Sequence, residues 1–266
     1  MTASRRSGGR RPLGQHFLRS PRTVARILDA LGASEGETVV EVGPGRGALT
    51  RPLVERGVRV VALELDARLA WRLRAELPEV VVVEGDALSA DVGAALAGAG
   101  ATPPVPLVGN LPYESATPMV RAFVRRPDLF SRLVVMVQKE VGERLAARAG
   151  EDAYGFLSVD VRAHAEATRL FDVGRAEFDP PPKVLSTVVR LVPAPPPPLA
   201  APALSLAALG FSTRRKTLVN ALSARHARER VREALAALFL PEDVRAERLS
   251  LDDFRALALA LDAAAR

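Results

Sequence analysis

The sequence predicts an α/β fold with a mostly parallel sheet, followed by a small all-α C-terminal region. Between residues 38 and 137, short apolar runs alternate with helical patterns, which is typical of a parallel sheet covered on both faces. Beyond the proline-rich stretch at 193–202, the apolar residues recur with helical spacing. We therefore expect two domains, residues 1–192 and 203–266, joined by this stretch.

The individual elements follow from local patterns. The first helix is predicted after Ser20, because Ser is a good N-cap and Pro21 suits the first helical position. Strands are predicted from apolar runs at 38–42, 58–63, 80–83, 105–108, 133–137 and 187–191. Further helices are predicted at 116–126, 203–211, 214–224, 227–239 and 250–264.

The composition of the 266 residues excludes several classes of protein. Hydrophobic residues make up 48%, which is enough for a substantial core and argues against global disorder. There is no 18-residue apolar run, and no apolar region follows the basic N-terminus, so we expect neither a membrane span nor a secretory signal. A cytoplasmic protein is the default expectation.

The side chains available for chemistry are also restricted. Cysteine is absent, which excludes disulfides, thiolate nucleophiles and cysteine-based zinc sites. The three histidines lie far apart in the sequence, so no metal site is expected. Catalysis is therefore expected to depend on other groups.

The net charge of +6, with a pI near 10.5, points to a polyanionic partner. Only three of the 37 basic residues are lysine, and arginine is the side chain best suited to phosphate and to stacking on bases. A GC-rich genome would also enrich arginine, together with Ala, Gly and Pro. Nucleic-acid binding and codon bias are therefore both possible explanations of the positive charge.

A glycine-rich turn, Gly-Pro-Gly-Arg-Gly at 43–47, joins the first strand to a helix. It fits neither the dinucleotide fingerprint nor the phosphate-binding loop of nucleotide triphosphatases. Glu64 ends the next strand, 21 residues after Gly43, where an acid binds ribose hydroxyls, and Asp86 ends the third strand. Together these strand ends favour an adenosine-containing cofactor without a pyrophosphate, and S-adenosylmethionine fits that description.

The run Gly-Asn-Leu-Pro-Tyr at 109–113 follows the fourth strand, so it lies where open α/β sheets bind ligands. The Asn110 amide can hydrogen-bond a base edge and the Tyr113 ring can stack on it, which predicts a nucleobase site. Phe178 precedes a run of prolines that could present its ring rigidly, although the pattern alone favours a core position. On pattern alone, His16 is a hydrogen-bonding loop residue.

Two basic segments are candidates for phosphate contact. One is an N-terminal arm carrying Arg5, Arg6, Arg10 and Arg11. The other is Arg214, Arg215 and Lys216, predicted at the start of a helix. Cations there oppose the helix dipole, so a role in phosphate contact gains weight over a role in local stability.

Taken together, the motifs resemble those of the rRNA adenine N6-dimethyltransferases over nearly the whole chain. They are Gly-Gln-His-Phe-Leu at 14–18, Glu-Val-Gly-Pro-Gly at 41–45, Glu-Leu-Asp at 64–66, Gly-Asn-Leu-Pro-Tyr at 109–113, Gln-Lys-Glu at 138–140, Phe-Asp-Pro-Pro-Pro-Lys-Val at 178–184 and Arg-Arg-Lys-Thr at 214–217. The Asn-Leu-Pro-Tyr run at 110–113 and the proline motif at 178–184 are most similar to the small-subunit type. The resemblance implies a Rossmann-like class I methyltransferase domain.

The resemblance also implies roles for individual residues. It implies that His16 and Leu18 close over S-adenosylmethionine and that Gly43 and Gly45 lie beside it. Glu64 and Leu65 would bind the ribose of the cofactor, and Asp86 and Ala87 would bind its adenine. Asn110 would lie between the cofactor and the target base. The catalytic set it implies is Asn110, Leu111, Pro112, Tyr113 and Phe178. The Asn110 side-chain oxygen and the Leu111 carbonyl would accept hydrogen bonds from the adenine amino group, while Tyr113 and Phe178 would hold the base.

The implied reaction is dimethylation of N6 of two adjacent adenosines near the 3′ end of small-subunit (16S) rRNA, during ribosome biogenesis. The implied partner is the pre-30S particle, bound by a monomer. The sequence departs from the family at His16, where Asn is more common, and at Glu114, which places a negative charge near the RNA path. Both departures concern contacts around the site.

Three other functions remain in competition at this point. A large-subunit or other RNA adenine methylase would use the same chemistry. An RNA-binding assembly factor on the same fold, without catalysis, is disfavoured by the intact Glu64, Asp86 and Asn110. A small-molecule methyltransferase is disfavoured by the basic, helical C-terminal region, which a small substrate does not require.

Overall fold

The structure is a computed structural model that describes residues 15–213 and 215–263. The strands are β1 (Phe17–Leu18), β2 (Thr38–Val42), β3 (Arg59–Glu64), β4 (Val81–Glu84), β5 (Val105–Asn110), β6 (Phe130–Gln138), β7 (Ala165–Val173), β8 (Phe178–Asp179) and β9 (Ser186–Pro193). The helices are α1 (Pro21–Leu31), α2 (Thr50–Glu55), α3 (Ala67–Glu76), α4 (Val92–Gly98), α5 (Ala116–Phe123), α6 (Lys139–Ala146), α7 (Phe156–Arg162), α8 (Ala200–Ser212), α9 (Leu218–Leu222), α10 (Arg228–Ala237) and α11 (Leu251–Ala263).

The central sheet has seven strands in the order β4-β3-β2-β5-β6-β9-β7. The first five strands pair in parallel, and β9 pairs antiparallel with β6 on one side and with β7 on the other. This confirms the predicted α/β fold with a mostly parallel sheet. Strand order reverses between β2 and β5, so their carboxyl ends flank the crevice in which such sheets bind ligands.

The strand sequences are continuously apolar because helices cover both faces of the sheet. Every residue of β2 is buried, including Glu41, the acid in the middle of its sequence Thr-Val-Val-Glu-Val. On one side of the sheet α1 packs against β6, β5 and β9. The Ser20 hydroxyl caps α1 as predicted, accepting a hydrogen bond from the Thr23 amide.

Close approach of β2 and β5 explains the glycine at position 109. Gly109 pairs in register with Val42, and a Cβ atom on Gly109 would lie 2.7 Å from the Val42 carbonyl oxygen. A side chain there would force the two strands apart. The glycine is therefore a requirement of the sheet at the point where it enters the Asn-Leu-Pro-Tyr run.

The C-terminal helices enclose a separate core. The side chains of α8 to α11 pack around Leu218, Leu222, Leu235 and Phe254, and this cluster also takes in Tyr154, whose hydroxyl donates a 2.8 Å hydrogen bond to the Leu249 carbonyl. Residues before the proline-rich stretch thus contribute to the C-terminal core. The division into domains at 193–202 remains a prediction.

One predicted helix begins later than expected. The helix predicted at 214–224 is observed as α9, because the Thr217 hydroxyl accepts a hydrogen bond from the Asn220 amide and so caps the helix at Leu218. Arg215 and Lys216 therefore lie in the turn before the helix and not in its first turn. These cations therefore oppose the helix dipole less than the sequence predicts.

Candidate active site

A cavity lies at the carboxyl ends of β2, β3 and β5, beneath residues 15–18. Its volume is about 90 Å³. The structure brings together nine of the predicted site residues around it: His16, Leu18, Gly43, Gly45, Glu64, Asn110, Leu111, Pro112 and Tyr113. The predicted cofactor turn and the predicted base site therefore share one cavity.

The glycine-rich turn is held against the end of β3 by Glu64. Gly43 and Gly45 adopt φ angles of +66° and +56°, which glycine tolerates without steric cost. The Gly45 amide donates to one Glu64 carboxylate oxygen at 3.0 Å and the Asp66 amide donates to the other at 2.9 Å. Burial raises the pKa of Glu64 against the lowering effect of these hydrogen bonds. The carboxylate thus fixes the turn from below.

Glu41 is a site residue that the sequence analysis missed. It lines the cavity with 1% of its surface exposed, and its Oε2 atom has no hydrogen-bond partner in the described structure. Burial raises the pKa of Glu41 to about 8 against the lowering effect of the Thr50 hydroxyl, and repulsion from Glu64 adds to the rise. An acid within an otherwise apolar strand was the signal that could have revealed it.

Asn110 and Leu111 present two acceptor oxygens that have no donor among the described residues. The Asn110 side-chain nitrogen donates to the His16 carbonyl at 2.8 Å, which leaves its side-chain oxygen as an acceptor. The Leu111 amide donates to the Met136 carbonyl at 3.0 Å, and its buried side chain fixes the backbone. Neither the Asn110 side-chain oxygen nor the Leu111 carbonyl accepts a hydrogen bond from the part of the chain that is described.

Tyr113 is held at its hydroxyl and covered on its ring. Its hydroxyl lies 2.7 Å from that of Ser186, a fully buried residue of β9. The His16 ring lies against it, with 5.6 Å between centroids and an interplanar angle of 31°. His16 is fixed in turn by its Nδ1 atom, 2.7 Å from the Pro180 carbonyl. Burial raises the pKa of Tyr113, so the phenol stays neutral in the physiological range.

Phe17 covers the glycine-rich turn. A Cβ atom on Gly45 would lie 3.0 Å from the Phe17 ring, and the Arg46 guanidinium lies 4.3 Å from the centroid of the same ring. Short strand β1 pairs with β8 and so ties this segment down. Ligand pockets for small molecules usually measure 300–1,000 Å³, so residues 15–18 fill part of the crevice.

Three predicted cofactor residues lie outside the cavity. Leu65 is 56% exposed, Asp86 is exposed and Ala87 is buried in the core. They lie at neighbouring strand ends, because the Gly85 amide donates to the Glu64 carbonyl at 2.9 Å. Asp86 caps its own turn by accepting from the Leu88 amide at 2.9 Å. Their roles toward a cofactor stay predictions.

Phe178 does not have the position that its predicted stacking role requires. It is 1% exposed, belongs to the core on one side of the sheet and does not line the cavity. Its backbone pairs with Leu18 through β8 and β1, and this places the ring inward. A ring without an accessible face cannot stack on a base, so the core position that the pattern favoured is the observed one.

The basic segments are described only in part. Arg215 and Lys216 are exposed, and neither forms an ion pair with a described residue. Arg214 and the N-terminal arm with Arg5, Arg6, Arg10 and Arg11 lie outside the described residues. Within residues 15–213 and 215–263, no helix is long and apolar enough to span a membrane, and no group of three His, Asp or Glu side chains is arranged to hold a metal ion.

Comparison with known proteins decides the family. The family model described as ribosomal RNA adenine dimethylase matches residues 6–262. This chain belongs to that family. Family membership confirms the predicted resemblance, an rRNA adenine dimethyltransferase as the class of enzyme, and S-adenosylmethionine as the cofactor.

Individual dimethylase relatives agree with this assignment. The chain is 43% identical to "Ribosomal RNA small subunit methyltransferase A" of Geobacter metallireducens, over 95% of each chain. It is 44% identical to the protein of that name from Rhodospirillum rubrum, over 96% of this chain and 88% of the relative.

Solved structures agree as well. The dimethyladenosine transferase of Plasmodium falciparum superposes with a TM-score of 0.75 at 25% identity, over 93% of this chain and 98% of that one. The 23S rRNA methyltransferase ErmE superposes with a TM-score of 0.71 at 28% identity, over 92% and 99%. These similarities confirm the Rossmann-like class I methyltransferase fold.

The cavity residues of this dimethylase fit S-adenosylmethionine. When bound, the cofactor supplies an electrophilic methyl group on a sulfonium, and it also carries an ammonium group. Glu41 contributes a buried carboxyl oxygen without a partner, and Glu64 contributes a second carboxyl group at the same strand ends. Two acidic groups in one cavity suit a cationic ligand.

Proposed function

We propose that this protein dimethylates N6 of two adjacent adenosines near the 3′ end of small-subunit rRNA, during ribosome biogenesis in the cytoplasm and as a monomer. The relatives of the same length are named as small-subunit rRNA methyltransferases. The observation that carries the proposal is a pair of acceptors beside the glycine-rich turn, the Asn110 side-chain oxygen and the Leu111 carbonyl, which no described residue satisfies.

The target base has to leave its helix, because N6 is out of reach inside a stack. In the proposed site Tyr113 offers one ring face to the flipped adenine, and its hydroxyl bond to Ser186 holds that ring in place. The pairing of β1 with β8 keeps Phe178 in the core. The second face of the base therefore depends on other groups or on a movement of the 178–184 segment.

The chemistry of the step follows from the two acceptors. Hydrogen bonds from N6–H to Asn110 and Leu111 draw the nitrogen lone pair out of conjugation with the ring. Bound S-adenosylmethionine would supply the electrophilic methyl group for this lone pair and a neutral thioether as the leaving group. Positioning supplies most of the acceleration, and the proton leaves after nitrogen is methylated, so no strong base is needed.

The proposed roles of the remaining residues follow the strand ends. Glu64 and Leu65 would hold the ribose, Asp86 and Ala87 the adenine of the cofactor, and Gly43 and Gly45 the methionine portion. Pro112 would keep the turn rigid between the two acceptors and Tyr113. His16 and Leu18 would cover the bound cofactor, as they cover the cavity in this structure.

Docking of the pre-30S particle is proposed to use Arg214, Arg215, Lys216 and the basic N-terminal arm. Arg215 and Lys216 are exposed without ion pairs to described residues, so they are available to phosphates. Binding should therefore weaken steeply with salt. Replacing Arg215 and Lys216 by Ala should reduce the slope of log affinity against log salt concentration by about 2.

A second candidate function is methylation of large-subunit rRNA, favoured by the similarity to ErmE, named as a 23S rRNA methyltransferase. The two are separated by incubating the protein and labelled S-adenosylmethionine with small and large subunits, both prepared without adenine methylation. Label on small subunits alone supports the proposal. Label on large subunits supports the alternative, and binding of small subunits without any label would indicate an assembly factor.

A further inference from the structure

Phe239 combines two unfavourable features that packing does not explain. Its side chain is 96% exposed, and its backbone has a φ angle of +55°, in the left-handed region that favours glycine. The residue follows α10, where a glycine commonly ends a helix. Leu199, also at positive φ, is partly buried, so its side chain gains contacts that the Phe239 ring lacks.

The backbone around Phe239 is well fixed despite this exposure. The Phe239 amide donates to the Ala236 carbonyl at 3.0 Å, and the Leu240 amide donates to the Leu235 carbonyl at 2.9 Å. The ring is therefore presented from a defined turn. Strained backbone of this kind is concentrated at functional sites, so the residues around the ring are relevant to its role.

The loop that carries Phe239 is bonded to the start of α9, next to the turn that carries the cations. The Leu218 amide donates to the Val244 carbonyl at 2.7 Å, and the Val244 amide donates to the Pro241 carbonyl at 3.1 Å. These bonds join the segment after α10 to the first residue of α9, two positions after Lys216. Phe239, Arg215 and Lys216 are thus exposed on two connected loops.

The charge of this pair of loops favours a polyanion. Glu242 forms an ion pair with Arg232 at 3.2 Å, so it does not offset the charge of the exposed cations. Asp243 is exposed and contributes one negative charge, whereas Arg215 and Lys216 contribute two positive charges. At the other end of α10, Arg225 and Arg228 are also exposed and form no ion pair with a described residue. Cations that contact phosphates beside an aromatic ring that stacks on a base form the usual surface for unpaired nucleic acid.

We propose that Phe239 stacks on an unpaired base of the substrate rRNA and, with Arg215 and Lys216, forms a docking surface remote from the catalytic cavity. The inference rests on the proposed function, because it takes the small-subunit particle as the partner. Base stacking on the ring is expected to contribute to affinity, and the cations to its salt dependence.

The test compares Phe239→Gly with Trp71→Ala, which removes a 71% exposed aromatic ring from α3 in the sheet region. Affinity for small ribosomal subunits without adenine methylation should fall about tenfold for Phe239→Gly, with an unchanged salt slope, and stay within twofold for Trp71→Ala. The melting temperature of Phe239→Gly should rise by about 2–4 °C, because glycine relieves the strain and no burial is lost.

A loss of affinity together with a higher melting temperature in Phe239→Gly would show a docking defect, because a misfolded variant would lose both affinity and stability. Phe239→Gly binding within twofold of the wild type overturns this inference alone, since the wild type still binds. A wild-type protein that fails to bind small subunits refutes the proposed function and this inference with it. A photoreactive phenylalanine analogue at position 239 should crosslink to rRNA, and crosslinks confined to ribosomal protein or to a second copy of the chain overturn it.

Discussion

At the scale of single residues, the site combines two acids whose pKa burial raises with two acceptor oxygens that have no donor among the described residues. Glu41 and Glu64 lie at the ends of adjacent strands and share the cavity. The acceptors of Asn110 and Leu111 face no donor in the described chain. The sequence motifs placed Glu64, Asn110 and Leu111 at strand ends, where these residues line the cavity, and their roles stay predictions. Glu41 was missed as a site residue although an acid inside an apolar strand signals burial.

Glu41 should make stability depend on pH. Its pKa in the folded protein is about 8, above the ordinary value of 4.5, so the folded state binds the extra proton. The stabilisation is complete below pH 4.5 and is lost as pH rises through 8, at up to about 1.4 kcal/mol per pH unit. Urea unfolding from pH 5 to 8 should show this loss in the wild type and a flatter profile in Glu41→Gln. Parallel profiles would contradict the assignment.

The hydrogen bond between Tyr113 and Ser186 should matter for methyl transfer and little for cofactor binding. A hydrogen bond of about 1 kcal/mol corresponds to roughly fivefold in rate if it positions the ring. Tyr113→Phe and Ser186→Ala should each lower transfer by about that factor, with cofactor affinity unchanged. The double variant should lose no more than either single one. Losses that multiply would show that the two side chains act separately.

At the scale of elements, strands were easier to predict than helix ends. The strands predicted at 38–42 and 105–108 follow from buried apolar runs and are observed as β2 and as β5, which extends to Asn110. The start of α9 was misplaced by about a turn, because the arginines before it suit a helix while the Thr217 cap decides its beginning. The burial of Phe178 depends on the pairing of β1 with β8, a contact between distant segments that local patterns do not encode.

The approach of β2 to β5 should make Gly109 intolerant of substitution. In Gly109→Ala the new methyl group would lie 2.7 Å from the Val42 carbonyl, and relieving this contact should cost about 1–3 kcal/mol. Gly98→Ala is the matched control, since Gly98 ends α4 with nothing within 4 Å of an added Cβ. Urea unfolding should show the loss for Gly109→Ala alone. Equal stability of the two variants would contradict the packing argument.

At the scale of the whole molecule, the proposed tasks fall in two regions. The sheet brings the proposed cofactor and base residues together at adjacent strand ends, and the turns between the C-terminal helices present exposed cations and the Phe239 ring. The overall resemblance of the motifs predicted the family and the fold. It did not predict that residues 15–18 fill part of the crevice, because this depends on how that segment packs over the turn.

The central claim is that Asn110 and Leu111 direct an adenine N6 of small-subunit rRNA toward the cofactor methyl group. It is tested most directly by incubating unmethylated small subunits with labelled S-adenosylmethionine and mapping the modified nucleosides. The wild type should give dimethylated N6 on two adjacent adenosines near the 3′ end, and Asn110→Ala should give none while binding the cofactor within several-fold. Label at another atom or subunit, or near wild-type transfer by Asn110→Ala, would contradict the claim.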